Sequence, residues 1–326
     1  MRARSAVRMA AVLSIALWDA GCGARQAPQK QGAAERRQAR LERGRYLVEG
    51  VMACFACHSD VDWQTRGAPP KPRRKGAGAV FPDENIPFKL VAPNITPDPE
   101  TGIGRWTDQE LARAIRDGIG RDDRVLFPLM PYLNFRVLSD DDLASVIAYL
   151  RSLPPVRHHP GASEIPAGVR ASLKAPTPAG SVPPPDLSTP VRRGSYYARL
   201  GDCDSCHTPK APNLRPLAGM DFAGGFILKG PWGEVASANL TPHASGIPYY
   251  NETMFVEVMR TGQVQARRLN HIMLWGYYRH MTDEDLKGIF AYLRELEPVA
   301  HRVDNTEPPS FCRRCGARHG LGADNL

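Results

Sequence analysis

The sequence predicts an all-α chain of two tandem helical domains with extensive loops, and three observations predict it. A block of about 110 residues, an ordinary domain size, occurs twice. The periodic segments within each copy repeat at helical spacing, and no segment alternates over the length of a strand. The rest is rich in the 29 Gly and 30 Pro of the 326 residues, the composition of loops around few helices.

The chain opens with Arg2, Arg4 and Arg8, then the apolar run Met9–Trp18, then the small residues Ala20 and Gly21 before Cys22. Positive, apolar and small in that order predict a signal peptide over residues 1–22. The run is too short to cross a bilayer as a helix, which takes about 18 apolar residues, and no later segment approaches that length. Cys22 resembles the acylated cysteine of bacterial lipoproteins, although Asp19 replaces the aliphatic residue usual there; an ordinary signal peptide cut nearby is the alternative. Six of the seven cysteines fall into three Cys-x-x-Cys pairs, and Cys22 is the odd one. The expectation is an exported, periplasmic lipoprotein held at a membrane through Cys22.

Residues 23–40 read as a basic linker within an overall net charge of +8. Between Arg25 and Arg45 there are seven basic and two acidic residues, and Lys71–Lys75 adds four more basic ones. Such a tether can lie on anionic head groups or be merely solvated. No zinc finger, helix-turn-helix or aromatic-basic alternation points to nucleic acid.

Domain 1 is assigned to residues 41–156 and domain 2 to 191–300, joined by a Pro/Ala-rich linker at 157–190. "GRYL" at Gly44 matches "GSYY" at Gly194, "NITP" at Asn94 matches "NLTP" at Asn239, and the segment from Met130 to "AYLR" matches that from Met273. Thr107 with Glu110 predicts a capping box, echoed at Asn251. Ser139 caps a helix whose first turn carries Asp140, Asp141 and Asp142 and whose apolar stripe is Leu143, Val146, Ile147 and Leu150. Thr282 caps its counterpart, with Leu286, Ile289, Phe290 and Leu293.

"CFACH" at Cys54–His58 and "CDSCH" at Cys203–His207 place two thiols and an imidazole on one face of a helical turn. Cys54 and Cys57, and likewise Cys203 and Cys206, can form thioethers to a porphyrin's vinyl groups while His58 and His207 reach the iron. Cys-x-x-Cys-His is the c-type haem attachment signature, so two covalently bound haem c groups are expected. The competing redox dithiol does not demand the histidine.

A second axial ligand is also needed. Met130 is the only methionine of domain 1 outside the attachment helix, so Met130 is the candidate there. Domain 2 offers several methionines with His243, His271 and His280, and the repeat selects Met273, which stands where Met130 stands. Met281 has a packing explanation against Leu286, and Met254 and Met259 fall within a helix. His/Met ligation fills both positions and favours electron transfer over binding of oxygen or peroxide.

With these pieces together, both halves resemble the class I cytochrome c fold, and the whole resembles the tandem dihaem c-type cytochromes of bacteria and the cytochrome subunits of membrane dehydrogenases. The resemblance implies that Gly44 and Gly194, with Tyr46 and Tyr196, mark where the N-terminal helix of each half crosses the C-terminal one. It also implies that the N-[IL]-T-P loops, Trp106 and Tyr250 lie beside the haem. Leu274 departs from the pattern where domain 1 has Pro131.

The tail, residues 301–326, holds the third pair, with Gly316 where a haem site needs histidine. A local disulfide between Cys312 and Cys315 is expected in an oxidising compartment. Zinc is the alternative, with His319 as a third candidate ligand. The functional expectation is a non-enzymatic carrier of single electrons between redox protein partners, a dehydrogenase or another cytochrome or oxidase. The alternatives are the electron-accepting subunit of an alcohol or sugar dehydrogenase and a dihaem peroxidase, for which His271 or His280 would replace Met273.

Overall fold

The computed structural model describes residues 27–325; the leader and Cys22 lie outside the described residues. The first half runs through α1 (Ala27–Arg45), a π turn (Tyr46–Val51), α2 (Cys54–Cys57), strands β1 (Ala79–Val80) and β2 (Val91–Ala92), then α3 (Asp108–Asp117), α4 (Tyr132–Phe135) and α5 (Asp140–Ser152). After α6 (Ala167–Ser172) the order recurs: α7 (Pro190–Leu200), α8 (Cys203–His207), β3 (Ile227–Gly230), β4 (Gly233–Ala236) and α9 (Glu252–Thr261). The strands β5 (Gln263–Val264) and β6 (Arg267–Arg268) precede α10 (Trp275–Tyr278) and α11 (Asp283–Arg294). The tail adds β7 (Pro309–Phe311) and β8 (Arg318–Gly320). All sheets among the described residues are two-stranded antiparallel ladders.

The helices start where their caps are. Thr107 Oγ1 accepts from the Glu110 amide, and the Glu110 carboxylate accepts from the Thr107 amide at 2.7 Å, closing the capping box of α3. Asn251, Ser139 and Thr282 each accept from the amide three residues on, opening α9, α5 and α11. Such caps are worth about 1 kcal/mol each, so removing one frays its helix. The apolar stripes of α5 and α11 are buried as their spacing requires.

The basic segment read as a linker is helical from Ala27 into the first half. Its alanines, glutamines and arginines are good helix formers, and Arg43 and Arg45 sit at the negative end of the dipole.

Gly44 and Gly194 mark helix crossings. A Cβ on Gly44 would lie 2.0 Å from the Ser145 carbonyl oxygen of α5, and one on Gly194 would lie 1.8 Å from that of Gly288 in α11. Neither position tolerates a side chain, which lets the backbones approach directly. An ion pair secures each crossing. Arg43 donates to both carboxylate oxygens of Asp142, at 2.7 and 2.8 Å, and Arg193 donates to Asp285 at 2.9 Å.

One hydrophobic core runs through both halves: Leu47, Val51, Phe55 and Ile147 belong to the same cluster as Tyr197, Leu200, Leu286 and Leu293. Burial of each such side chain contributes about 1.5–3 kcal/mol. The halves also meet where Trp63 packs edge-on against Trp232, centroids 4.7 Å apart, and where Tyr277 donates to the Ala68 carbonyl at 3.1 Å. The segment between the halves follows the first half closely. Asp140 accepts from Ser181 at 2.6 Å and from the Val182 amide at 3.2 Å, and Ser163 Oγ accepts from the Val91 amide at 2.9 Å.

Candidate haem sites

Two short helical turns, α2 and α8, carry the two Cys-x-x-Cys-His segments. The residue before each first cysteine is left-handed, Ala53 at φ 44° and Asp202 at φ 54°, so the chain enters both turns by the same sharp bend. For non-glycine residues this conformation costs on the order of 1–3 kcal/mol, and here it aims functional side chains. The His58 amide donates to the Cys54 carbonyl at 3.0 Å, which puts Cys54, Cys57 and His58 on one face.

The histidines are oriented by the loops that follow. His58 Nδ1 lies 2.7 Å from the Pro93 carbonyl oxygen and His207 Nδ1 lies 2.8 Å from that of Ala238. A carbonyl only accepts, so each ring donates from Nδ1 and keeps the Nε2 lone pair for a metal. Burial depresses the pKa of both rings, opposed by these backbone bonds, and so favours the neutral form that ligates.

The carbonyls themselves are held by the N-[IL]-T-P loops, because Pro93 and Ala238 directly precede Asn94 and Asn239. Asn94 Oδ1 accepts from the Thr96 amide and hydroxyl at 2.9 and 2.8 Å while its Nδ2 donates to the Val156 carbonyl at 2.7 Å. Asn239 repeats this with Thr241 and with Val299 at 2.9 Å. A buried amide thus ties each histidine's carbonyl partner to the chain leaving the C-terminal helix. Sequence reasoning placed these loops near the site and missed this role, which only the fold reveals.

Met130 and Met273 occupy equivalent places, each closing a turn to the carbonyl three residues back, that of Phe127 and of Asn270, both at 3.1 Å. Both are partly buried and packed on the core, whereas Met259 and Met281 are fully buried within it. Of the rival histidines, His280 is exposed, His271 engages the Trp63 carbonyl at 2.9 Å, and His243 bonds Ser245.

Burial raises the pKa of all four cysteines, Cys54, Cys57 and Cys206 to about 12 and Cys203 higher still, which favours the thiol form in the chain before any haem is attached. The Cys-x-x-Cys-His residues of each half therefore suit haem c: two thiols and one imidazole with its Nε2 lone pair available.

Residues 41–154 match the cytochrome c family model. A diheme c-type cytochrome of Cereibacter sphaeroides is 30% identical over 225 residues, covering 64% of this chain and 72% of that protein. The chain belongs to the c-type cytochromes. It is also 28% identical over 291 residues to the cytochrome c subunit of a quinone alcohol dehydrogenase of Gluconacetobacter polyoxogenes, covering 83% of this chain and 59% of that protein. A nicotinate dehydrogenase polypeptide of Pseudomonas putida is 37% identical over 273 residues, 79% of this chain and 21% of that protein. The chain thus spans about three fifths of the first of these dehydrogenase components and a smaller part of the second.

In this cytochrome the two attachment segments adjoin. Asn134, four residues after Met130, donates to Asp202 at 2.6 Å and to Asp204 at 3.0 Å, on either side of Cys203. Tyr278, buried, donates to the Gly201 carbonyl at 2.7 Å, two residues before Cys203.

Cys312 and Cys315, the pair for which a local disulfide is expected, are both buried, and Cys312 Sγ is turned toward the His301 ring, 3.4 Å from Nε2.

Proposed function

We propose that this chain is an exported dihaem cytochrome c that carries single electrons between redox partners at a membrane, with a dehydrogenase as the electron donor. The observation that carries the reading is the duplicated set, Cys54, Cys57 and His58 with Met130, and Cys203, Cys206 and His207 with Met273. In each, a backbone carbonyl fixes the imidazole tautomer. Haem c held by each set would supply one-electron iron chemistry, with the histidine and the methionine of that set as the residues that would ligate the iron. The chain's own residues hold the histidines neutral, exclude water with the shared core, and keep the attachment segments side by side through Asn134 and Tyr278. The dehydrogenase components among its relatives support the choice of donor. The small residues Ala20 and Gly21 before Cys22 support attachment through its acylation; among the described residues no helix is long and apolar enough to cross a membrane.

Near-infrared magnetic circular dichroism of the oxidised protein tests the ligand set. Two equivalents of methionine-to-iron(III) charge transfer support a carrier closed at both irons. One equivalent, together with turnover of peroxide, would replace the carrier by a peroxidase.

A further inference from the structure

The third Cys-x-x-Cys pair does not stand alone. His301, Cys312, Cys315 and His319 bring one ligand atom each to within 4.8 Å of one another, and all four residues are buried. The chain after α11 carries His301 and the β7–β8 hairpin carries the other three, so the tail folds back on its own first residue.

The hydrogen bonds around the cluster define what it presents. His301 Nδ1 donates to the Ala223 carbonyl at 2.8 Å and His319 Nδ1 to the Gly320 carbonyl at 3.2 Å. Each ring therefore keeps its lone pair on Nε2, and the two Nε2 atoms face each other 3.2 Å apart. Cys312 can offer its single S–H to His301, 3.4 Å away, but His319 then has only another acceptor before it. A cation between them removes that conflict. With zinc bonds of about 2.0 Å to nitrogen and about 2.3 Å to sulfur, a tetrahedral site has edges of about 3.3 Å between nitrogens and about 3.5 Å between nitrogen and sulfur. The observed separations match both. Gly316, at φ 74°, turns the chain after Cys315 so that its amide donates to the Cys312 carbonyl at 2.8 Å, which keeps both thiols on one side of the turn.

We propose that His301, Cys312, Cys315 and His319 form a closed, structural zinc site. Four nitrogen and sulfur ligands with none left open are the set of a structural rather than a catalytic zinc. On binding, the two thiols lose their protons to solvent, and two thiolates with two neutral imidazoles offset the dication. The site braces the second half. Ala223 and Gly224 lie in the loop whose Gly224 amide donates to the His207 carbonyl at 2.7 Å, and a Cβ on Gly225 would fall 2.5 Å from His301 Cε1. The tail is thereby fastened to the loop that contacts an attachment histidine.

The test uses full-length, untagged protein carrying its covalent haem, purified without chelator. Elemental analysis is expected to find one zinc ion per chain besides the haem iron, and zinc X-ray absorption to find two sulfurs at about 2.3 Å and two nitrogens at about 2.0 Å. Cys312→Ser and His319→Ala are each expected to lower the zinc at least tenfold while haem content stays unchanged. His319→Ala keeps both thiols, which guards against loss of the tail fold in the cysteine variant. Wild-type protein lacking zinc, with Cys312 and Cys315 recovered as a disulfide lighter by two hydrogens, would overturn the proposal, as would iron in place of zinc.

Discussion

Tyr196 of the second half donates to Asp142 of the first at 2.7 Å, and Tyr46 of the first donates to Asp285 of the second. Each aspartate is also the partner of its own half's arginine, Arg43 or Arg193. The two ion pairs that fasten the helix crossings are thus capped reciprocally by tyrosines from the opposite half.

Asp142→Ala therefore strands a guanidinium and a phenol from different halves. The expected loss of stability is about 2–3 kcal/mol, below that of a fully buried pair because Arg43 keeps 30% of its side chain accessible. Tyr196→Phe should lose about 1 kcal/mol. Urea unfolding of the two single variants and the double variant measures the coupling; strictly additive losses would mean that Tyr196 and Asp142 act independently.

Gly194→Ala is expected to destabilise the protein by about 3 kcal/mol or more, since the new methyl meets the Gly288 carbonyl at a distance no packing adjustment absorbs. Gly168→Ala in α6, where nothing lies within 4 Å, is the control and should stabilise by up to about 1 kcal/mol. Thermal melts of both variants decide, and equal melting points would contradict the direct helix contact.

Met130→His should lower the potential of one haem by about 0.2–0.4 V, inside the roughly 0.8 V range that axial ligands command, and leave the other unchanged. Met273→His should move the other one instead. Potentiometric titration separates the two waves, and a variant that shifts neither would remove that methionine from the ligand set.

Asp140 fastens the segment between the halves. The Ser181 hydroxyl, with Arg116 and the Val182 amide, holds its carboxyl down to about 2 from 3.8. Because the folded pKa is the lower one, this fastening is complete above pH 3.8 and is lost as pH falls through about 2. Brief pepsin digestion should cut within residues 157–190 at about pH 2 and spare them at about pH 4.5. Asp140→Asn should already be cut at the higher pH; equal resistance of the variant and the parent there would refute the role.

The repeat, the four caps and the Cys-x-x-Cys-His turns were legible in sequence because each is local or appears twice, whereas the close approach at Gly44 and Gly194 followed only from the resemblance to cytochromes c. The Tyr196–Asp142 exchange was not, since no spacing within one copy says that the copies will share partners. His301 was passed over for a similar reason: it sits eleven positions before Cys312, at the boundary drawn between domain and tail, and joins the cluster only when β7 and β8 fold back. The helical start of the basic segment at Ala27 was masked by its charge, although its residues favour helix.

The crossed tyrosines also bear on how the chain reaches this state. Tyr46 and Asp285 are 239 residues apart, and the core they border draws on both halves. Contacts of such separation slow folding, because a long loop must close before any of them forms. As the polypeptide emerges N-terminus first, the early half waits with Tyr46 unpaired and part of its apolar face uncovered until α11 arrives. The reciprocal grip that unites the finished molecule thus makes its completion a late, C-terminal event, and a chain truncated before Asp285 should be the form most exposed to aggregation and proteolysis.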